Sequence, residues 1–357
     1  MQQILEQFQD QVRTAAAGKR ALRIRGGGTK DWYGQCLDGE VLDTRAYAGI
    51  VDYEPTELVI TARCGTPLAE IEAALAERKQ MLAFEPPHFG EGATLGGMIA
   101  AGLSGPRRAS SGALRDFVLG VKLLDGKGEV LTFGGQVMKN VAGYDVSRLL
   151  AGSLGTLGLL LEVSVKVLPR ATREATLVFK DMAEVDAIRK LNEWGGQPLP
   201  ISASCWHEGV LALRLSGARA AVDAAVQSLG GAYGGGIMQD CTRFWADLRE
   251  QRHAFFDGDA PLWRLSVPST FGAIVLGSPQ LIEWGGAQRW LRADGDAATA
   301  QRIRSTVTAC GGHATLFRGG DKSAGVFQPL APALARIHER LKAGFDPSNI
   351  FNPGRMY

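Results

Sequence analysis

The sequence predicts an α+β protein of two domains, and three observations carry that prediction. The chain has 357 residues, enough for two separate cores. A short strand at Leu22-Arg23-Ile24 opens directly into the triple glycine Gly26-Gly27-Gly28, the start of a glycine-rich half that runs to about residue 170. After Pro169-Arg170 the character changes, and residues 175–230 read strand, helix, strand, strand, helix.

The elements follow in order. Ile4, Leu5, Phe8 and Val12 recur at helical spacing in a polar background, so residues 1–18 form a surface helix. Leu58 to Arg63 is a strand. Thr66-Pro67 opens a helix, with Thr as N-cap and Pro at the first helical position, and Leu68, Ile71 and Leu75 line its inner face. Gln80 to Glu85 is extended. Residues 86–116 are glycine-rich without regular pattern, a length of irregular chain that points to function. Phe117–Leu124 and Glu129–Phe133 are strands joined by an Asp125-Gly126 turn, and Leu159–Leu168 is a long strand ending at Pro169. In the second half the segments are Thr176–Phe179, Val185–Trp194, Ile201–Cys205, Val210–Leu215 and Ala218–Leu229. A flexible glycine link at 230–236 comes next. Residues 243–256 are helical, 262–267 and 288–293 are strands, 297–309 is a helix, 314–317 a strand and 330–342 an amphipathic helix.

Composition excludes several classes. Hydrophobic content is 45% and charged content 21%, the balance of an ordinary globular chain. A net charge of +2 gives no basic field for nucleic acid. The five cysteines, at 36, 64, 205, 241 and 310, are scattered and form no C-x-x-C, which argues against a disulfide framework or a metal cluster and fits a reducing cytosol. The N-terminus lacks the pattern of a signal peptide, and no apolar run is long enough to span a bilayer.

The glycine loop carries the chemistry. Three glycines leave a short turn without side chains, so its backbone can approach a ligand and its successive N–H groups form an anion nest. Arg25 and Lys30 flank Gly26, Gly27, Gly28 and Thr29 with positive charge. The pattern is neither G-x-x-x-x-G-K-[ST] nor G-x-G-x-x-G. It reads as a pyrophosphate-binding loop or as a bare turn.

Further motifs decide between these readings. R-G-G-G-T at 25–29, E-P-P-H-F-G-E-G-A-T-L-G-G at 85–97, S-G-A-L-R-D-F-V-L-G at 111–120, K-N-V-A-G-Y-D-V at 139–146, G-S-L-G-T-L-G at 152–158 and the Glu162-Val163 pair occur in one half. Together they resemble the FAD-binding domain of the vanillyl-alcohol oxidase (para-cresol methylhydroxylase, PCMH) type. D-P-S-N-I-F-N-P-G-R at 346–355 is similar to the tail by which chains of that family return to the flavin domain. With V-D-Y-E-P-T-E-L-V-I-T-A-R, G-P-R-R and F-N-P-G-R-M-Y, the whole sequence resembles the FAD-binding subunits of bacterial glycolate oxidases.

The resemblance implies a PCMH-type FAD domain at 1–170, a reduced α+β (ferredoxin-like) domain at 171–342, and a tail at 343–357 that packs on the first. It implies that Arg25 to Lys30 cradle the FAD pyrophosphate, with Thr94, Gly96 and Gly97 as a second wall. Pro86, Ser104, Gly105 and Gly112 then fall toward the flavin, Glu162 and Val163 toward the adenine, and Arg355, with Asn352 and Pro353, closes over the cofactor. Thr94 also reads as a helix N-cap, and Glu162 as an exposed strand residue. No histidine follows the first glycine loop, so FAD is expected to be non-covalent; His88 reads as a loop residue.

Single-chain relatives of this type carry an H-x-x-G-D-G-N segment for metal and hydroxy acid. Here Gly311-Gly312-His313 is the nearest approach, and one histidine falls short of a metal site. Arg243, Arg264 and Arg318 are candidate carboxylate clamps, and no spacing selects among them. The resemblance therefore implies a subunit that oxidises glycolate, and D-lactate as a further substrate, together with a larger catalytic FAD subunit and an iron–sulfur subunit. Electrons would leave to an acceptor other than NAD. The implied location is cytoplasmic, with peripheral attachment to the inner membrane through partners as the alternative. Surface around Trp284 and Trp290 could form the partner contact, with core packing as the other reading of both. A self-sufficient FAD-dependent D-2-hydroxyacid dehydrogenase and a non-enzymatic scaffold with an empty loop are the competing readings.

Overall fold

The computed structural model describes residues 1–135 and 145–356. Of the K-N-V-A-G-Y-D-V motif at 139–146, only Asp145 and Val146 are among them. The chain divides into two compact units. The first comprises 1–104, 113–169 and 329–357, and the second 105–112 and 170–328.

The first unit begins with α1 (Gln2–Gly18), which buries Phe8, Val12 and Ala15 on one stripe. Large apolar side chains contribute roughly 1.5–3 kcal/mol each when fully buried, which is why this amphipathic segment stays docked. Strand β1 (Leu22–Arg25) pairs in parallel with β2 (Glu40–Asp43). Strands β3 (Ile50–Glu54) and β4 (Val59–Arg63) form a hairpin. Helix α2 (Leu68–Glu77) buries Leu68, Ile71 and Leu75, as its apolar spacing requires. Its N-cap is Pro67, one residue later than expected from the sequence. Thr66 instead uses its hydroxyl on the Gly49 backbone, accepting from N–H at 2.9 Å and donating to the carbonyl at 3.2 Å.

Strand β5 (Gln80–Met81) is shorter than the extended segment expected, because the chain turns at Ala83-Phe84. The stretch 86–116 holds helix α3 (Leu95–Ala101) and the single-turn α4 (Arg108–Ser111), which groups with the second unit. Strands β6 (Val118–Leu124) and β7 (Val130–Gly134) form the expected hairpin. Asp125 ties the turn by accepting from the N–H groups of Lys127 and Glu129 at 2.9 and 2.8 Å. After α5 (Val146–Leu149), β8 (Leu159–Lys166) runs through the centre of the five-stranded antiparallel sheet β3-β4-β8-β6-β7. Its Leu159, Leu161, Val163 and Val165 are buried in the core shared with α2 and α3. Strand β9 (Leu168–Pro169) pairs with β5.

The second unit is built on an eight-stranded antiparallel sheet. Its first half is β10 (Arg173–Phe179), α6 (Glu184–Gly195), β11 (Ile201–His207), β12 (Val210–Gly217), α7 (Arg219–Tyr233) and β13 (Gly236–Ile237). The spatial order β13-β10-β12-β11 is the 4-1-3-2 order of a ferredoxin-like β-α-β-β-α-β unit. Residues 230–236, read as a flexible link, instead complete α7 and enter the edge strand. Helix α8 (Cys241–Arg249) then leads to β14 (Leu262–Ser266), β15 (Gln280–Glu283), β16 (Gln288–Arg292), α9 (Ala297–Ala309) and β17 (His313–Arg318). The order β15-β16-β14-β17 repeats the same pattern in mirror sequence, with residues 267–279 standing where the first helix would be. The two halves join edge to edge through β11 and β15.

Helices α6 and α7 cover one face of the first half with Leu191, Trp194, Val222 and Leu229, and α9 covers the second half with Ile303 and Val307. Trp290 is buried and donates to Glu283 at 2.6 Å, while Trp284 donates to the Gly105 carbonyl at 3.1 Å under the Arg108 guanidinium. Both tryptophans thus serve the second unit's own packing. Helix α10 (Pro332–Phe345) groups with the first unit, where the sequence placed 330–342 with the second.

Candidate functional site

The site forms in the first unit where three backbone segments converge on the glycine loop. The tail residue Phe351 bridges in parallel to Leu22 on the free edge of β1, with Leu22 N–H donating to the Ile350 carbonyl at 2.7 Å. Segment 64–66 links β8 to α3: Cys64 N–H donates to Leu161, Gly96 N–H to Cys64, and Leu95 N–H to Thr66, all at 2.8–2.9 Å. The 152–158 loop hangs from the end of α3 through Gly152 and Leu154, which donate to Ile99 and Ala100.

These segments enclose two adjoining cavities of about 90 and about 60 Å³. The larger is lined by the whole run Ile24 to Asp31 together with Thr94, Gly97 and Arg355. The smaller continues past Gly96 to Cys64, Gly155, Gly158, Leu159 and Leu160. Ile24, Gly26, Gly97, Ala100, Leu154 and Asn352 line both, so they form one narrow cleft with a polar and an apolar end.

Two glycines are fixed here by close approach. A Cβ on Gly27 would sit 1.5 Å from the Gly92 carbonyl oxygen, and one on Gly96 would sit 2.8 Å from Cys64 Cβ. The glycine loop and the 92–97 segment therefore press backbone on backbone, and no larger residue fits between them. Among the described residues, the N–H groups of Gly27, Gly28 and Thr29 meet no protein acceptor. Three adjacent unpaired donors turned on a cleft are the donor set of an anion nest, and they fit a pyrophosphate.

The charge around the nest differs from the expected simple positive flank. Arg25 lines the cleft, yet its guanidinium pairs with Asp31 at 3.1 Å, and Arg23 pairs with the same carboxylate. Lys30 Nζ donates to the His88 carbonyl at 3.0 Å and to Thr29 Oγ1 at 3.4 Å. Arg355 is buried, donates to the Asp31 carbonyl at 2.7 Å and to the Gln35 carbonyl, and has its pKa pushed down to about 10, chiefly by that burial. It holds the loop following the glycines in place.

Thr94 realises its N-cap reading: Oγ1 accepts from Gly97 N–H at 3.3 Å, which leaves the hydroxyl proton available for donation at the cleft that Thr94 lines. The remaining expected residues lie elsewhere. Pro86 is buried away from the cleft lining. Ser104 Oγ accepts from Leu114 N–H at 3.0 Å in the first unit. Gly105 and Gly112 belong to the second unit, on either side of α4. Glu162 pairs with Lys122 at 2.8 Å across β8 and β6, and Val163 is core. The start of β8, at Leu159 and Leu160, meets the cleft instead.

The sequence reading did not assign Ile24, Ala100, Leu154, Gly155 and Leu160 to the site. The G-S-L-G-T-L-G motif was the available signal. Cys64 also went unassigned; burial pushes its thiol up to about 12, so it lines the cleft as an inert apolar group. Outside the cleft, His88 lies 3.1 Å from Glu72, and His313 opens β17 opposite Ser266. Among the described residues, no group of three or more His, Cys, Asp or Glu is placed to hold a metal. None of their helices is long and apolar enough to cross a membrane.

A glycine loop, an orphaned amide nest and a returning tail define an FAD-binding fold of the PCMH type, and residues 4–134 match the family described as FAD binding domain. The chain is 49% identical over 348 residues to the glycolate oxidase subunit GlcE of Escherichia coli (strain K12), which covers 98% of this chain and 96% of that protein. It belongs to that family of FAD-binding oxidoreductase subunits, and its cofactor is FAD. It is also 33% identical over 156 residues, 43% of this chain and 33% of that protein, to the glycolate oxidase subunit GlcD of Bacillus subtilis (strain 168). Among solved structures, an alkyldihydroxyacetonephosphate synthase superposes with a TM-score of 0.67 at 16% identity, over 97% of this chain and 73% of that one, which shows the shared fold.

Proposed function

We propose that this chain is the FAD-binding subunit of a multi-subunit glycolate oxidase that oxidises glycolate, and D-lactate as a further substrate, and passes the electrons through an iron–sulfur subunit to an acceptor other than NAD. The observation that carries the proposal is the amide nest over a two-ended cleft, in a chain similar end to end to a protein named as one subunit of such an enzyme. FAD supplies the two-electron oxidation of a CH–OH carbon.

The chain's own residues do the holding. Gly27, Gly28 and Thr29 offer N–H groups to the pyrophosphate, and Thr94 adds its hydroxyl. Ile24, Leu154, Leu159 and Leu160 would give the bound cofactor an apolar wall that excludes water. With Cys64 held as a thiol and no histidine among the described residues that line the cleft, the cofactor is held non-covalently. Similarity of part of the chain to GlcD supports a larger, related flavin subunit as partner. The five scattered cysteines leave onward electron transfer to a partner that carries the clusters. The chain then works in the cytoplasm and reaches the inner membrane by way of those partners.

The test is anaerobic mixing of the purified yellow chain with excess glycolate, alone and with its partners. Bleaching of its flavin band only when the partners are present is expected. Rapid stoichiometric bleaching of the isolated chain would instead establish a self-sufficient dehydrogenase.

A further inference from the structure

The second unit contains a cavity of about 600 Å³ whose lining shares no residue with the flavin cleft. It sits where β11 ends at His207 and β12 begins at Val210. The opposite end of the same hairpin carries α4, whose Ser110 donates to the Ser202 carbonyl at 3.0 Å.

The walls of the cavity are apolar, formed by Phe244, Phe255, Met238, Pro279, Val210 and Ala212. One side is polar and has a defined hydrogen-bond sense. His253 Nδ1 accepts from Phe255 N–H at 3.2 Å, so the ring proton sits on Nε2. His207 Nδ1 lies 3.2 Å from the Gln280 carbonyl, which can only accept, so Nδ1 carries that ring's proton. The two rings meet edge to face at 5.8 Å. Burial, and then the neighbouring His207, hold the pKa of His253 below the ordinary imidazole value.

Arg292 supplies the charge. Its Nη1 donates to the Phe255 carbonyl at 3.3 Å, and among the described residues no carboxylate lies within ion-pair distance of it. Arg318 is close enough that the charge of Arg292 adds to burial in lowering its pKa. The acid that lines the cavity is Glu208, 3.8 Å from His207 Nε2, while Asp257 and Asp247, outside the lining, also act on His253. A half-buried guanidinium without a carboxylate partner, beside a second arginine and lining the same cavity as an imidazole, is suited to take an anion.

We propose that this cavity binds a monocarboxylate carrying an apolar, aromatic-sized body, with the carboxylate on Arg292 and His253 Nε2 and the body among Phe244, Phe255 and Met238. A volume near 600 Å³ lies in the range of pockets for ligands of that size, and it far exceeds a two-carbon hydroxy acid. The proposal rests on the lining of this cavity alone, and it stands or falls independently of the function proposed above.

The probe is 3-phenylpropionate titrated calorimetrically into the full FAD-loaded chain, with 3-phenylpropionamide and glycolate as comparisons. Saturable one-site binding of the acid is expected, with the isosteric amide weaker by about tenfold or more, as loss of a charge-assisted contact implies. Glycolate is expected not to compete, and Arg292→Gln is expected to reduce acid binding to the level of the amide while leaving the flavin spectrum unchanged. The proposal is overturned if the acid shows no saturable binding, if acid and amide bind equally, or if a correctly folded Arg292→Gln binds the acid as the wild type does. The comparison of acid with amide uses the wild-type chain, so it decides the matter even if Arg292→Gln fails to fold.

Discussion

Asn352→Ala separates the tail from the cofactor cleft, and its cost can be worked from two hydrogen bonds and one backbone angle. Asn352 Oδ1 accepts from Ile24 N–H at 3.0 Å, and Nδ2 donates to the Leu154 carbonyl at 2.6 Å. The side chain is buried and lines both parts of the cleft. Truncation orphans one donor and one acceptor, at about 1–3 kcal/mol each. The backbone of Asn352 is left-handed, with φ 39°, where Ala costs roughly 1 kcal/mol more than Asn. The joint of tail, β1 and the 152–158 loop therefore loses about 3–7 kcal/mol. For a unit of this size that is a fall in Tm of roughly 10 °C or more. Where FAD needs the tail seated, its Kd rises by about a hundredfold or more, since each 1.4 kcal/mol is tenfold. Asn352→Gly keeps the φ without strain and still loses both hydrogen bonds, so it should recover about 1 kcal/mol of the deficit and no more. The assay is flavin-fluorescence titration beside thermal unfolding of the same samples. An Ala variant with Tm and FAD Kd both within error of the wild type would refute the reasoning.

Further outcomes follow from the same geometry. Asp346 is buried and accepts from Ile350 N–H at 3.1 Å, Phe351 N–H at 2.7 Å and Lys342 Nζ at 2.5 Å. Asp346→Ala therefore leaves two amides unpaired and the largely buried Lys342 ammonium with only the Thr156 and Phe351 carbonyls and no counter-charge, and should cost roughly 3–5 kcal/mol in chemical denaturation; a loss under 1 kcal/mol would show that the clasp is unimportant. Native alkylation at pH 8.5 should label exposed Cys36 and spare Cys64, whose thiol near pKa 12 is ionised in roughly one molecule in three thousand; peptide mass spectrometry showing equal labelling would contradict that burial. Acid precipitation should release all flavin into the supernatant, and colour retained in the pellet would disprove non-covalent binding.

What was legible in the sequence was what local chemistry dictates. The stripe of α1, the Asp125-Gly126 hairpin and the strand–helix–strand–strand–helix run of the second unit each carry a period and punctuation. The triple glycine announced the cradle because only backbone can come that close to backbone, and the Gly27–Gly92 contact is the structural expression of that signal. Other features were set by tertiary contacts. Helix α3 contains Gly96 and Gly97, which depress helix propensity, and it forms because Cys64 and Thr66 satisfy its first amides. Strands β13 and β15 are two and four residues long and exist through their neighbours. Pro67 took the N-cap of α2 because the Thr66 hydroxyl was already engaged by Gly49. His207 and His253 stand far apart in sequence, and sheet pairing beside α8 brings them together. No spacing rule anticipates that meeting.

The most direct test of the central claim is the flavin content and activity of the assembled complex when only this chain's cleft is closed. Gly96→Val drives a branched side chain into Cys64 at the junction of the two cavities. Co-purified with wild-type partner subunits and compared with the unaltered complex, the variant should lack the flavin contributed by this chain and should lose glycolate-driven dye reduction. Circular dichroism and retained assembly show that the chain is still folded. A complex that assembles with Gly96→Val, keeps its full flavin count and oxidises glycolate at the wild-type rate would contradict the account.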